Sequence, residues 1–145
     1  MKSGPERELV ETYRARLDSA PAGLGPLSIT EIDERKDAKR IALALNEAAE
    51  ALPKGTRRIA LDEAGKAVTT KDFAELLSTW RDSGVPEAAF IIGGADGLPD
   101  DTRKAADLAL SLGKMTWPHR LARAMIAEQL YRAASLLAGH PYHRE

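Results

Sequence analysis

At 145 residues the chain is sized for one domain with a real hydrophobic core, and 43% apolar with 30% charged residues is ordinary for a soluble globular protein. A formal net charge of −1 argues against non-specific coating of nucleic acid and leaves only a local basic patch for such a partner. With no cysteine, disulfides, thiolate metal sites and a cysteine nucleophile are excluded, and the lack of an apolar N-terminal run excludes a signal peptide or membrane span, so the cytoplasm is the default address.

Residues 6–18 read as a helix, with Leu9, Val10, Tyr13 and Leu17 at helical spacing and Pro5 suited to the first turn. Pro21, Gly23, Gly25 and Pro26 then break the chain, and residues 27–32 alternate apolar and polar as a half-buried strand would. Residues 37–52 are an alanine-rich second helix ended by Pro53-Lys54-Gly55. A short strand is expected at 58–62, a turn at 63–66, and a third helix capped by Thr70 and running to Arg81.

Residues 88–92 are a fully apolar strand that delivers Gly93-Gly94-Ala95-Asp96-Gly97. Pro99 and Asp100 open a short helix through Leu108, a strand follows at 110–112, and Pro118 starts a last helix that runs to Leu137 and stops at Gly139. Strands alternating with helices predict an α/β fold with a largely parallel sheet, organised as a single domain over 1–145.

The glycine loop fits neither the dinucleotide fingerprint nor the P-loop, so a nucleoside triphosphate is not expected there. Alone it reads as a tight strand-to-helix turn. A second loop at 113–118, leaving a neighbouring strand at the same sheet edge, shifts the balance toward a ligand, because open α/β sheets bind outside the carboxyl ends of their strands. Free amides and carbonyls there suit an adenine edge, with Leu61 as an apolar wall.

His119 reads either as a general base or as a residue satisfying backbone groups at a helix start. Glu128 and Arg132, four apart, read first as a surface ion pair and second as a positioning pair. Ala124, Ala127, Tyr131, Ala134 and Ala138 form a mostly small stripe that admits another backbone, within the fold or across a dimer. The ending His140-Pro141-Tyr142-His143-Arg144-Glu145 reads equally as a frayed terminus and as a stacking and phosphate-binding tail. Arg120 and Arg123 are the better phosphate candidates, with Arg57 and Arg58 read as solvated strand-edge charges.

Four separated segments, 90–97, 109–119, 127–133 and 140–144, closely resemble in order the family of ribosomal RNA large subunit methyltransferase H (RlmH), part of the SPOUT superfamily of knotted methyltransferases. The resemblance spans nearly the whole chain. It implies an α/β fold with a C-terminal trefoil knot, a homodimer, and S-adenosylmethionine as methyl donor. The implied reaction methylates N3 of a pseudouridine in helix 69 of bacterial 23S rRNA on the assembled ribosome. Carried over by motif, Leu61, Gly93, Leu112, Gly113, Lys114, Met115, Thr116 and Trp117 form the cofactor site. His119, Arg123, Tyr142, His143 and Arg144 lie near the methyl group or the RNA. Members of the family usually open on an apolar first strand ending shortly before a segment like Lys2-Ser3-Gly4, so the expectation is a chain lacking that strand, with a sheet edge or core face left bare. The competing reading is a non-catalytic RNA- or ribosome-binding module of the same fold, which binding of S-adenosylmethionine would separate from the enzyme.

Overall fold

The computed structural model describes residues 4–19, 24–32, 37–94 and 97–142. The chain resolves into two compact units: residues 1–29, 68–84 and 120–145 form one, and residues 30–67 and 85–119 the other.

The first unit is helical: α1 (Pro5–Asp18), α3 (Thr70–Asp82) and α5 (His119–Leu137), α5 entering it at Arg120. Each helix begins where the sequence supplies a start. Pro5 occupies the first turn of α1, where its missing N–H costs nothing. The Thr69 hydroxyl accepts from the Asp72 amide at 3.0 Å and caps α3, one residue earlier than the sequence suggested. Val10 and Leu17 of α1, Phe73, Ala74 and Leu77 of α3, and Ala122, Ala124, Ile126, Ala127, Leu130, Ala133 and Ala134 of α5 are buried. Thr70 donates to Gln129 at 3.0 Å, joining α3 to α5. At the end of α5 the His140 amide bonds Ser135 O at 2.8 Å and the Gly139 amide bonds Leu136 O at 3.2 Å, with Gly139 at φ +72. That pair of bonds is a Schellman stop, so the helix ends where the glycine predicted.

The second unit holds α2 (Ala38–Glu50), β1 (Arg57–Ala67), β2 (Ala88–Ile91), α4 (Asp100–Ala105) and β3 (Leu108–Ser111). The strands form a parallel sheet in the order β2-β1-β3. α2 packs on α4, and α4 packs on β1. As the central strand, β1 buries both faces: Ile59 and Ala60 are 1% and 0% exposed. Register is pinned at the start of β3. The Asp107 amide donates to Arg58 O at 2.8 Å, while its carboxylate accepts from the Arg58 amide at 2.8 Å.

Three local expectations are corrected. Residues 27–32 belong to no strand; their alternating pattern finds no ladder among the described residues. The helix expected through Leu108 ends at Ala105, because Ala106 turns extended and Asp107 is taken up by β1. The turn expected at 63–66 is an excursion inside β1. Leu61 and Lys66 both face Leu110, so residues 62–65 leave the ladder and return to it. A Cβ on Gly65 would lie 2.7 Å from the Ala109 carbonyl, a close main-chain approach that requires glycine. Arg57, read as a solvated charge, pairs with Asp107 at 3.6 Å with both side chains well exposed, so the pair contributes little.

Candidate functional site

The carboxyl ends of three parallel strands gather the expected ligand-binding residues of the second unit. Leu61, half-buried, ends the first run of β1. Gly93 follows β2 on one side, and the 112–117 loop follows β3 on the other. A parallel sheet aims all these loops the same way, and the crevice outside the carboxyl ends of its strands is the usual ligand edge.

The loop after β2 folds on itself. Gly94 and Gly97 form an antiparallel bridge, and the Gly97 amide donates to Gly94 O at 3.0 Å. A Cβ on Gly93 would lie 2.6 Å from the Gly97 carbonyl carbon and 2.8 Å from the Leu98 amide. The glycine is therefore demanded by the loop's own return strand, which is the tight-turn reading, and its main chain still sits at the sheet edge. Ala95 and Asp96 lie outside the described residues.

The loop after β3 is built differently. The buried Ser111 hydroxyl donates to Gly113 O at 2.8 Å and accepts from the Gly113 amide at 3.0 Å, latching the loop's first turn. Beyond it Lys114, Met115, Thr116, Trp117 and Pro118 are exposed, while Leu112 is half-buried. Met115 is 71% and Trp117 39% exposed, two of the four large apolar side chains on the described surface. A Cβ at Gly113 would meet nothing within 4 Å. Open space over the Gly113 main chain, in a loop that also exposes a thioether and an indole, suits a flat heteroaromatic ligand. One contact that the sequence did not suggest ties this loop to β1: Thr116 Oγ1 donates to Glu63 Oε2 at 3.2 Å.

The expected chemistry of the tail falls in the helical unit. Tyr142 is tied down, with its ring edge-to-face on Tyr131 at 4.7 Å and its hydroxyl donating to Glu128 Oε1 at 3.1 Å. The same oxygen accepts from Arg132 Nε at 2.8 Å and pairs with Nη2 at 2.6 Å, and the Arg132 guanidinium lies 5.0 Å over the Tyr142 ring. Tyr13 of α1 completes the group, 6.1 Å from the Tyr131 ring, with the Arg16 guanidinium over both. Burial, then hydrogen bonding to Tyr13 and Glu128, pushes the Tyr142 phenol well above the usual range, so it stays neutral. Arg132 is raised first by its bond to Glu128. The Glu128–Arg132 pair is therefore the ion pair that the spacing suggested, and the same carboxylate also accepts from Tyr142. The roles of Tyr13, Tyr131 and Arg16 were missed, because a tyrosine 129 positions from Tyr142 carries no sequence signal of contact.

His119 is half-buried at the first position of α5, and Arg123, one turn on, is half-buried as well. His143 and Arg144 lie outside the described residues. Of the small stripe on α5, Ala124, Ala127 and Ala134 are buried, Tyr131 is half-buried and Ala138 is exposed.

The family model described as "Predicted SPOUT methyltransferase" matches residues 1–143. Ribosomal RNA large subunit methyltransferase H of Dinoroseobacter shibae is 49% identical over 146 aligned positions, covering 99% of this chain and 93% of that protein. The protein of the same name from Rhodopseudomonas palustris (strain HaA2) is 50% identical over 149 positions, with the same coverage. Among solved structures, a methyltransferase of Legionella pneumophila determined with bound S-adenosylmethionine aligns at TM-score 0.47 and 22% identity, over 92% of this chain and 63% of that one. The chain belongs to the SPOUT methyltransferases, in the family of ribosomal RNA large subunit methyltransferase H.

Proposed function

We propose that this protein transfers a methyl group from S-adenosylmethionine to N3 of a pseudouridine in helix 69 of bacterial 23S rRNA, on the assembled ribosome. The observation that carries the reading is the convergence of Leu61, Gly93 and the 112–117 loop at one edge of a parallel sheet, in a chain half identical to the large-subunit rRNA methyltransferases H. Both units act as one SPOUT domain over residues 1–145, with the trefoil knot of that superfamily in the C-terminal part, and the protein works in the cytoplasm as a homodimer.

Leu61, Gly93, Leu112, Gly113, Lys114, Met115, Thr116 and Trp117 would hold the donor, main chain to the adenine edge and apolar side chains to its faces. The donor, when bound, supplies an electrophilic methyl group on a sulfonium and needs neither a metal nor a phosphate cradle. This chain's own part is to orient, exclude water and move a proton. N3 of the target base must lose its proton to become a nucleophile, and His119 or His143 takes it. Arg123 and Arg144 neutralise RNA phosphates, and Tyr142 of the tail is held by Glu128. The small net negative charge leaves little basic surface, so the RNA site is completed by a second subunit, the tail of one reaching the donor pocket of the other.

Labelled methyl transfer to ribosomes lacking this modification, with mass spectrometry locating the product, tests the reading. Label on a helix 69 pseudouridine is expected. Donor binding without any label on rRNA would overturn the substrate assignment, and no donor binding would favour a non-catalytic ribosome-binding module.

A further inference from the structure

The excursion in β1 is secured on two sides before it reaches the ligand edge. From within, Asp62 Oδ1 accepts from the Ala64 amide at 3.0 Å. From α4, Arg103 Nη1 bonds Asp62 Oδ2 at 3.4 Å, and the same guanidinium also bonds Asp100. Those two carboxylates raise the Arg103 pKa, Asp100 first. Gly65 lies flat against the main chain of Ala109 and Leu110. Held in this way, the excursion presents Glu63, whose carboxylate accepts the Thr116 hydroxyl in the middle of the exposed 112–117 loop.

We propose that Glu63 is a positioning residue for the methyl donor: through Thr116 it sets the conformation of the 112–117 loop before any ligand arrives. The proposal rests on the reading of that loop as part of the donor site. Apart from the Ser111 latch at its first turn, the Thr116–Glu63 bond is the loop's tie to the sheet among the hydrogen bonds of its described residues. Lys114 and Met115 stand well exposed, and Trp117 keeps 39% of its surface open. A loop ordered only on binding loses conformational freedom at that moment, which weakens affinity, whereas a loop ordered beforehand does not. A carboxylate acceptor strengthens the bond relative to a neutral one. Asp62, Arg103 and Gly65 matter here because they keep the carboxylate's own main chain from moving.

The test uses the full-length protein with Glu63→Ala, Glu63→Gln, Thr116→Val and the Glu63→Ala/Thr116→Val double variant. Amide hydrogen exchange in residues 112–117 is measured without ligand, and the Kd for S-adenosylmethionine by calorimetry. Loss of one net hydrogen bond corresponds to roughly three- to tenfold in an equilibrium constant. Glu63→Ala and Thr116→Val should each accelerate exchange in the loop and weaken donor binding by about that factor. The double variant should be no worse than either single one, and Glu63→Gln, which still accepts a hydrogen bond, should stay near the parent. For Glu63→Ala, kcat at saturating donor should be preserved while KM for the donor rises. Unchanged loop exchange in Glu63→Ala, or losses that multiply in the double variant, would overturn the proposal. Failure of the parent protein to bind donor would defeat the donor-site reading instead, and the exchange data would still decide whether Glu63 orders the loop.

Discussion

The Tyr142 phenol and the Glu128 carboxylate meet at 3.1 Å, and the acceptor oxygen is the one that Arg132 also grips. One carboxylate oxygen therefore links the chain beyond α5 to the helix it has just left. Tyr142→Phe removes the phenol's bond and keeps the ring stack on Tyr131, so it should cost about 1 kcal/mol of stability, readable as a shift in the urea midpoint. If the tail serves the RNA site as proposed, methyl transfer should fall further than donor binding in that variant.

The raised pKa of Tyr142 adds a pH dependence with a definite sign. An unfolded tyrosine ionises near pH 10, as in model peptides. The folded one holds its proton to higher pH, so its stabilising contribution is fully present below about pH 10 and is lost as pH rises toward the folded value. The stability gap between parent and Tyr142→Phe should thus be constant from neutral pH to about pH 9 and narrow above it. A gap that widens in alkali would contradict the burial and bonding described for this phenol.

Gly93→Ala places a methyl group 2.6 Å from the Gly97 main chain, where no side chain can rotate aside. A stability loss of about 1–3 kcal/mol is expected, as for overpacking elsewhere, together with loss of donor binding. Gly65→Ala meets Ala109 in the same way and should behave alike. Thermal melts and calorimetry on both variants would check this.

Ile59, 1% exposed in the central strand and paired with Phe90 and Leu108, is the most deeply buried large side chain of the sheet. Ile59→Ala should cost about 2–5 kcal/mol. Thr69→Ala, which removes only the cap of α3, should cost about 1 kcal/mol. Denaturant unfolding of the two variants should rank them in that order.

Much of this architecture was legible because its signals are local. Pro5 and Gly139 mark helix ends through their own backbone preferences, whereas Asp37, read only as the first residue of a helix, caps α2 through its side chain by accepting from the Arg40 amide at 2.9 Å. The apolar run before Gly93 identified a strand, which lies half-buried at the edge of the sheet, and the two glycine-bearing loops fall at one end of the sheet as expected, although β1 separates the two strands that were expected to be neighbours. Where the reading failed, partners distant in sequence decide the outcome. Residues 27–32 have a strand's alternation, but a strand exists only if a neighbour pairs with it. Asp107 left a helix-like segment because Arg58, 49 positions away, needed its carboxylate and amide. Glu63 looked like part of a turn, and its bond to Thr116 spans 53 positions. Tyr142 was as legible as a frayed end as it was as a site, until Tyr131 and Glu128 stood beneath it.

The self-contact of Gly93 with Gly97 and Leu98 divides labour between the two sides of the sheet edge. A wall made of main chain against main chain has no rotamers to exchange, so it can exclude a misfit but cannot accommodate one. If the donor binds as proposed, its other side meets the 112–117 loop, which carries Met115, with its freely turning thioether chain, and Trp117. Tolerance for enlarged ligands should accordingly be lopsided: substituents directed at the β3 side find a yielding surface, and those directed at the β2 side find a fixed one. On the proposed reading, altering selectivity begins at positions 115 and 117, where side chains can be exchanged without rebuilding the backbone.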